Sequence, residues 1–232
     1  MYKRFFAAIL CVIMLASICP MQAAAANEGY DVGDIVTFGS YEQDDDYSNG
    51  SEDIEWIIIS KKSGKILLLS RYVLDARAYD TSGSSTTWEK SEMREWLNTE
   101  FYEEAFKYTG TDYILETKLK TPKAAGGTSG GKDTEDKIFL LSVNEVKEYL
   151  PDEDSRAALP TEYAIGRAIA DEYKYDTAWW RLRTPGKSGK FTAGVHAEGG
   201  INFNGRENSR EDLGVRPALW FDLDAFRKEN GK

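Results

Sequence analysis

The chain has 232 residues and carries 29 basic against 39 acidic side chains, a formal charge of −10. So acidic a balance argues against a phosphate backbone as the main partner, and nucleic-acid binding is not expected. Two cysteines and one histidine in the whole chain also exclude a His/Cys zinc cluster.

The N-terminus opens with Lys3 and Arg4, runs apolar over residues 5–18, and closes with Pro20 and the small residues 23–26. That is the order of a secretory signal, with cleavage expected after Ala26. The apolar run is shorter than the roughly 20 residues that span a bilayer, and no later stretch approaches that length. A secreted, extracellular protein without stable membrane insertion is therefore expected. Ile18 stands where a lipoprotein needs a small residue before Cys19, so lipidation is not expected. Both cysteines, Cys11 and Cys19, leave with the leader. The mature chain, residues 27–232, then has no disulfide, and its length favours one domain with a core at about 32–223.

Strand patterns come first, at residues 35–38, 54–60 and 66–70, the last two joined as a hairpin through Ser63-Gly64. The intervening acidic residues 42–53 read as a solvated loop. Within it Asp44, Asp46 and Ser48, with Glu55 at the twelfth position, mimic the oxygen spacing of a calcium loop, and Asp45 and Asp53 are further ligands if a cation binds. Asn49 replaces the glycine such a loop needs, and Glu55 falls in a strand phrase. The expectation is no cofactor, with calcium as the alternative. Residues 88–98 space Trp88, Met93, Trp96 and Leu97 on one helical face with Thr87 as cap, and a second short helix follows from Thr99, ended by Gly110. Residues 124–132, with four glycines, read as a flexible loop. Residues 137–142 have the run of a buried strand, Ser142 and Glu145 make a capping box stopped by Pro151, and residues 163–173 fit another helix. Strands at 178–183, 193–197, 201–204 and 213–221 complete the chain, with a short polar helix after them. Helices followed by sheet imply an α+β fold.

Several phrases occur together: Gly33-Asp34-Ile35-Val36-Thr37-Phe38-Gly39-Ser40-Tyr41, Ile54-Glu55-Trp56, Thr86-Thr87-Trp88-Glu89, Arg94-Glu95-Trp96-Leu97-Asn98, residues 136–142, Trp179-Trp180, Leu182-Arg183-Thr184-Pro185-Gly186, and Gly214-Val215-Arg216-Pro217-Ala218-Leu219-Trp220. In that order, over residues 32–223, the chain resembles the domain-of-unknown-function family 6273 of exported proteins from Gram-positive gut bacteria. The resemblance implies a C-type lectin-like fold shared with the formylglycine-generating sulfatase-modifying enzymes: an early helical pair, then a twisted antiparallel sheet whose last strand holds a buried arginine. One departure is Arg181, inserted before Leu182, which implies a bulge in that strand. The enzymes of that fold use a reactive cysteine pair or several histidines at iron. Neither set exists here, so both chemistries are excluded.

What remains is binding. Residues 196–212 gather His196, Glu198, Asn202, Asn204, Arg206, Asn208, Ser209 and Arg210 around three glycines, the adaptable polar composition of a recognition surface. By the same resemblance this stretch corresponds to the ligand face. Trp179 and Trp180 alternate across their strand, so one faces the core and the other is a potential sugar platform, with Trp180 taken with the ligand set. His196 as a lone catalytic base has no nucleophile motif beside it. Arg156, Arg183 and Arg216 read as buried structural cations. The expected function is a non-enzymatic module for an extracellular glycan or protein ligand. The alternative is a carbohydrate-active hydrolase with paired carboxylates.

Overall fold

The computed structural model describes residues 22–23, 30–167 and 176–230. The expected leader, its cleavage point and both cysteines lie outside these residues, apart from Gln22 and Ala23. In chain order the first strands are β1 (Gln22–Ala23), β2 (Ile35–Tyr41), β3 (Glu52–Lys62), β4 (Lys65–Ser70) and β5 (Asp75–Ala76). Helices α1 (Glu92–Asn98) and α2 (Glu100–Ala105) follow, then β6 (Thr117–Leu119) and β7 (Thr134–Asp136). Three short helices, α3 (Val143–Tyr149), α4 (Glu153–Arg156) and α5 (Glu162–Gly166), precede β8 (Trp180–Pro185), β9 (Phe191–Val195) and β10 (Ile201–Glu207). The chain closes with β11 (Gly214–Val215), β12 (Ala218–Asp222) and α6 (Leu223–Asn230). No described helix is long and apolar enough to cross a membrane.

Two five-stranded sheets organise these elements. One runs β1-β2-β3-β4-β12 with every pair antiparallel. The other runs β10-β9-β8-β11-β5, antiparallel except where Gly214 of β11 pairs in parallel with Trp180 of β8. Mainly antiparallel sheets with separate short helices make this an α+β protein.

Local chemistry accounts for the turns. Ser63 and Gly64, both at positive φ (50° and 75°), form the two-residue turn of the β3–β4 hairpin. Gly64 is doubly constrained, because a Cβ there would run into the Asp224 carboxyl group. Its carbonyl accepts the Asp224 N–H at 3.0 Å and so anchors α6 to the hairpin. The capping box forms as expected, with Ser142 and Glu145 each bonding the other's backbone at the start of α3.

Three expectations are revised, and a fourth falls partly outside the described residues. The helix expected from residue 88 is instead a 3-10 turn at Trp88–Lys90 followed by α1, because Ser91 takes the cap and accepts from the Arg94 N–H. Residues 138–142 are buried but form no ladder: the segment bends at Lys137 and Ile138, touches the first sheet through the Phe139↔Ala218 bridge, and meets β8 through one backbone bond, from the Arg183 N–H to the Leu141 carbonyl at 3.0 Å. Side chains satisfy their backbone instead: Asn98 Oδ1 accepts from the N–H groups of Lys137 (2.9 Å) and Ile138 (3.2 Å), and its amide donates to the Ile138 carbonyl at 2.8 Å. The expected strand over 213–221 breaks at Arg216-Pro217, so that β11 sits in one sheet and β12 in the other. The helix expected over 163–173 is described only as α5, and residues 168–175 lie outside the described set. The glycine-rich residues 124–132 occupy the tip of the β6–β7 pairing.

One large core joins both sheets and the early helices. Trp56, Ile58, Leu68, Leu219 and Phe221 of the first sheet share it with Trp180, Leu182 and Val195 of the second and with Phe101 and Phe106 around α2. Trp179 points the other way, into a small cluster with Ala197 and Leu213. The two neighbouring tryptophans thus take opposite faces, as strand alternation requires. The register of β8 against β9 slips between Arg181 and Pro185, where the three residues 182–184 face the single Ala193. The bulge implied by the inserted Arg181 is present.

Candidate cleft between the second sheet and the first helix

Strand β5 ends in Asp75 and Ala76, and the chain continues across the front of α1. Segment 77–80 is pinned on both sides. The Arg77 N–H donates to the Leu213 carbonyl (3.2 Å), the N–H groups of Tyr79 and Asp80 donate to the Asn208 carbonyl (2.8 and 3.2 Å), and the Met93 N–H donates to the Tyr79 carbonyl (3.1 Å). Arg181, buried in the β8 bulge, braces the same wall: its guanidinium donates to the carbonyls of Arg77 (3.3 Å), Glu207 (3.0 Å) and Arg210 (2.7 Å) and to the Thr192 hydroxyl (2.8 Å). The bulge therefore turns Arg181 into a clamp for the segment that carries Arg77.

In front of that wall lies an open cleft of about 740 Å³, within the size range of small-ligand sites. Met93 and Trp96 form its apolar floor, Arg77 and Arg167 face into it, and Glu95, Glu100 and Glu211 stand exposed around it. The Arg77 guanidinium lies over the Trp96 ring, 4.1 Å from its centroid, a stacking that holds the cation in place. Behind both arginines is Asp75, only 1% exposed. Its carboxylate accepts from the Tyr41 hydroxyl (2.9 Å) and from the Ala76 N–H (2.7 Å), and lies 3.6 Å from the Nε of Arg77 and of Arg167 alike. Burial lifts the Asp75 pKa above its ordinary value, outweighing Arg77, the Tyr41 hydroxyl, the Ala76 N–H and Arg167, which all lower it. Burial and the Asp75 charge together push the Tyr41 hydroxyl far above its usual value, and Tyr163, edge-on to Tyr41, is pushed up to about 12, chiefly by burial.

A second hollow of about 540 Å³ flanks the other side of α1. Its principal cation is already spent. Arg94 Nε donates to Asp136 at 2.6 Å, and Trp88 Nε1 and the Thr134 hydroxyl donate to the same carboxylate at 2.8 and 2.7 Å.

The residues expected to bind ligand separate into three groups. His196 and Arg206 meet over Trp179, the His196 ring at 4.1 Å centroid to centroid and the Arg206 guanidinium at 4.5 Å, so both cover that indole. Asn202 and Asn204 lie on β10, the edge strand of the second sheet, where Asn202 Oδ1 accepts from the Gly205 N–H at 2.9 Å across the irregularity in the β9–β10 register. Trp180 and Asn208 are removed from any surface. Trp180 is fully buried and donates from Nε1 to the Arg156 carbonyl at 3.0 Å, and Asn208 is 1% exposed and donates to the Gly189 carbonyl at 2.9 Å. No stacking platform exists at Trp180.

The acidic loop also rearranges the expected oxygen set. Asp46 accepts from the N–H and hydroxyl of Ser48 (3.0 and 2.6 Å), and Asp44 accepts from the Asn49 amide (2.7 Å) and the Asp46 N–H (2.9 Å). Glu55 is engaged by Arg71 at 2.7 Å across the β3–β4 strands. Among the described residues the carboxylates that converge, within 4.8 Å, are Glu42, Asp44 and Glu52, which share only Asp44 with the expected trio. Glu42 is buried, and its pKa is raised by that burial and then by Glu52 and Asp44.

Sequence reasoning missed Asp75, Arg77, Trp96 and Arg167 as one constellation. Trp96 was visible as a helix-face aromatic, but its partner cation lies nineteen positions earlier in an unremarkable phrase. The inserted Arg181 was the one visible signal near this cleft. A family model described as a domain of unknown function (DUF6273) matches residues 63–223. The match takes in the cleft but begins beyond the acidic loop. No curated protein and no solved structure matches the chain.

Proposed function

The chain belongs to the DUF6273 family, and from that premise we propose that it is an exported, non-enzymatic binding module that takes a polar segment of an extracellular glycan or protein in the Arg77–Trp96 cleft. Export is supported by the order of charged, apolar and small residues over positions 1–26. A C-type lectin-like arrangement is part of the same proposal, supported by the helical pair α1–α2 ahead of the C-terminal sheet β8–β11.

The observation that carries the reading is the Arg77 guanidinium, laid on Trp96 and facing an open cleft while its carboxylate partner stays buried behind it. A wall held by four backbone bonds and the Arg181 clamp presents that cation with little freedom to lose on binding. The edge strand β10, with Asn202 and Asn204, supports a wider contact surface on the same sheet.

The test is an array of defined oligosaccharides and peptides probed with residues 27–232, wild type and Ala78→Phe. Ala78 lines the cleft, and the added ring is expected to fill it and weaken binding by at least about tenfold. Retention of full binding by a variant whose melting temperature matches wild type would remove the cleft from the proposal.

A further inference from the structure

The charges around the cleft are arranged by depth, and the arrangement restricts what can enter. At the back is one buried carboxylate, Asp75, whose nearest acceptor positions are taken by the Tyr41 hydroxyl and the Ala76 N–H. In front of it stand two guanidinium groups, each 3.6 Å away through Nε, beyond hydrogen-bond reach. Among the described residues neither guanidinium donates a hydrogen bond, although each has five N–H groups to give. At the front Glu95, Glu100 and Glu211 are exposed, while Glu92 is occupied by the N–H and hydroxyl of Thr81 at 2.9 and 2.8 Å.

This pattern disfavours a ligand of either single charge. An anion would satisfy the arginine forks but enter a site where acidic groups already outnumber basic ones. A cation would satisfy the glutamates and leave the forks unfilled. A ligand with both charges adds no net charge and completes both sets, its carboxylate received by the planar guanidinium forks and its ammonium by the outer carboxylates.

We propose that the cleft binds a zwitterionic ligand, a short peptide with both termini free, its C-terminal carboxylate held by Arg77 and Arg167 and its ammonium by Glu95, Glu100 and Glu211. The proposal rests on the reading of this cleft as the ligand site and narrows it to one chemistry.

The experiment titrates residues 27–232 with alanyl-alanine, with its C-terminal amide and with its N-acetyl derivative, following the Trp96 indole N–H by NMR. The free dipeptide is expected to bind, and each blocked form to bind at least about tenfold more weakly. Arg167→Gln, at an exposed side chain, is expected to bring the acid and the amide to within about twofold of each other. Should Arg77→Gln lose the fold, Arg167→Gln alone carries the test. Equal affinity for all three probes, or an unchanged preference for the acid in Arg167→Gln, overturns the inference. If no probe binds while Ala78→Phe still abolishes binding to an array ligand, the zwitterion is wrong and the cleft stands. If Ala78→Phe leaves array binding intact, the cleft reading fails and the inference with it.

Discussion

Asp75 sits where burial and charge pairing oppose each other, and burial prevails. The native state therefore holds the Asp75 proton more tightly than the unfolded chain, whose aspartates titrate near 3.8. Stability from this group is full below that value and declines as pH rises through the raised native one. Asp75→Asn removes the slope. The melting temperature of Asp75→Asn minus that of wild type is expected to increase between about pH 4 and pH 7, and a difference flat across that window would contradict the raised pKa. At this scale the sequence disclosed more about structural residues than about the site. Arg183 and Arg216 read correctly as buried cations, Arg183 bound to Glu145 at 2.8 Å and to the Leu140 carbonyl at 2.7 Å. Arg77 could not be distinguished from them, because an arginine in an apolar phrase looks the same whether its guanidinium ends among carbonyls or at a cleft.

Among the elements, residues 137–142 teach the clearest lesson. Their apolar run marked them as buried, and Ile138, Phe139, Leu140 and Leu141 are all fully buried. A ladder partner does not follow from burial. Asn98, at the end of α1, supplies hydrogen bonds that a neighbouring strand would otherwise give, and Arg183 donates to the Leu140 carbonyl. Asn98→Ala would strand two N–H groups and one carbonyl in a largely buried setting, so a loss of about 2–4 kcal/mol is expected, read as a lowered denaturation midpoint with an unchanged m-value. A loss below about 0.5 kcal/mol would show that water replaces the amide. The elements with strong local chemistry were legible: the Ser63-Gly64 hairpin, the Ser142 capping box and the alternation of Trp179 and Trp180. Those decided by competition between neighbours were not, as Ser91 shows by taking the cap expected of Thr87.

For the whole molecule, the decisive joint is Arg216-Pro217. Proline has no N–H to continue a ladder, and there the chain leaves β11 in one sheet and enters β12 in the other. The Arg216 guanidinium is fully buried at this joint, donating to the Ser70 carbonyl (2.9 Å) of the first sheet and the Arg156 carbonyl (3.1 Å), with the Trp180 ring of the second sheet 5.2 Å away. Arg216→Ala leaves a cavity and removes a donor from the Ser70 carbonyl and one of the two donors of the Arg156 carbonyl, which keeps Trp180 Nε1, and is expected to cost about 3–5 kcal/mol. Because the residue serves both sheets, hydrogen exchange should accelerate equally in β4 and β8; acceleration confined to one sheet would show that they open separately. The family phrase containing Val215-Arg216-Pro217-Ala218 was visible in the sequence as one strand. Its division between two sheets was not, because two of its pairing partners, β5 and β4, lie more than a hundred positions away.

The same joint sets a timetable. Strand β11 stands between β8 and β5, and β12 completes the first sheet beside β4, so neither layer is finished until residues 214–222 have been synthesised. Contacts so distant along the chain form late and slowly. Until residues 214–222 are in place, the two sheets lack the segment that joins them, and the chain before it stays open to rearrangement.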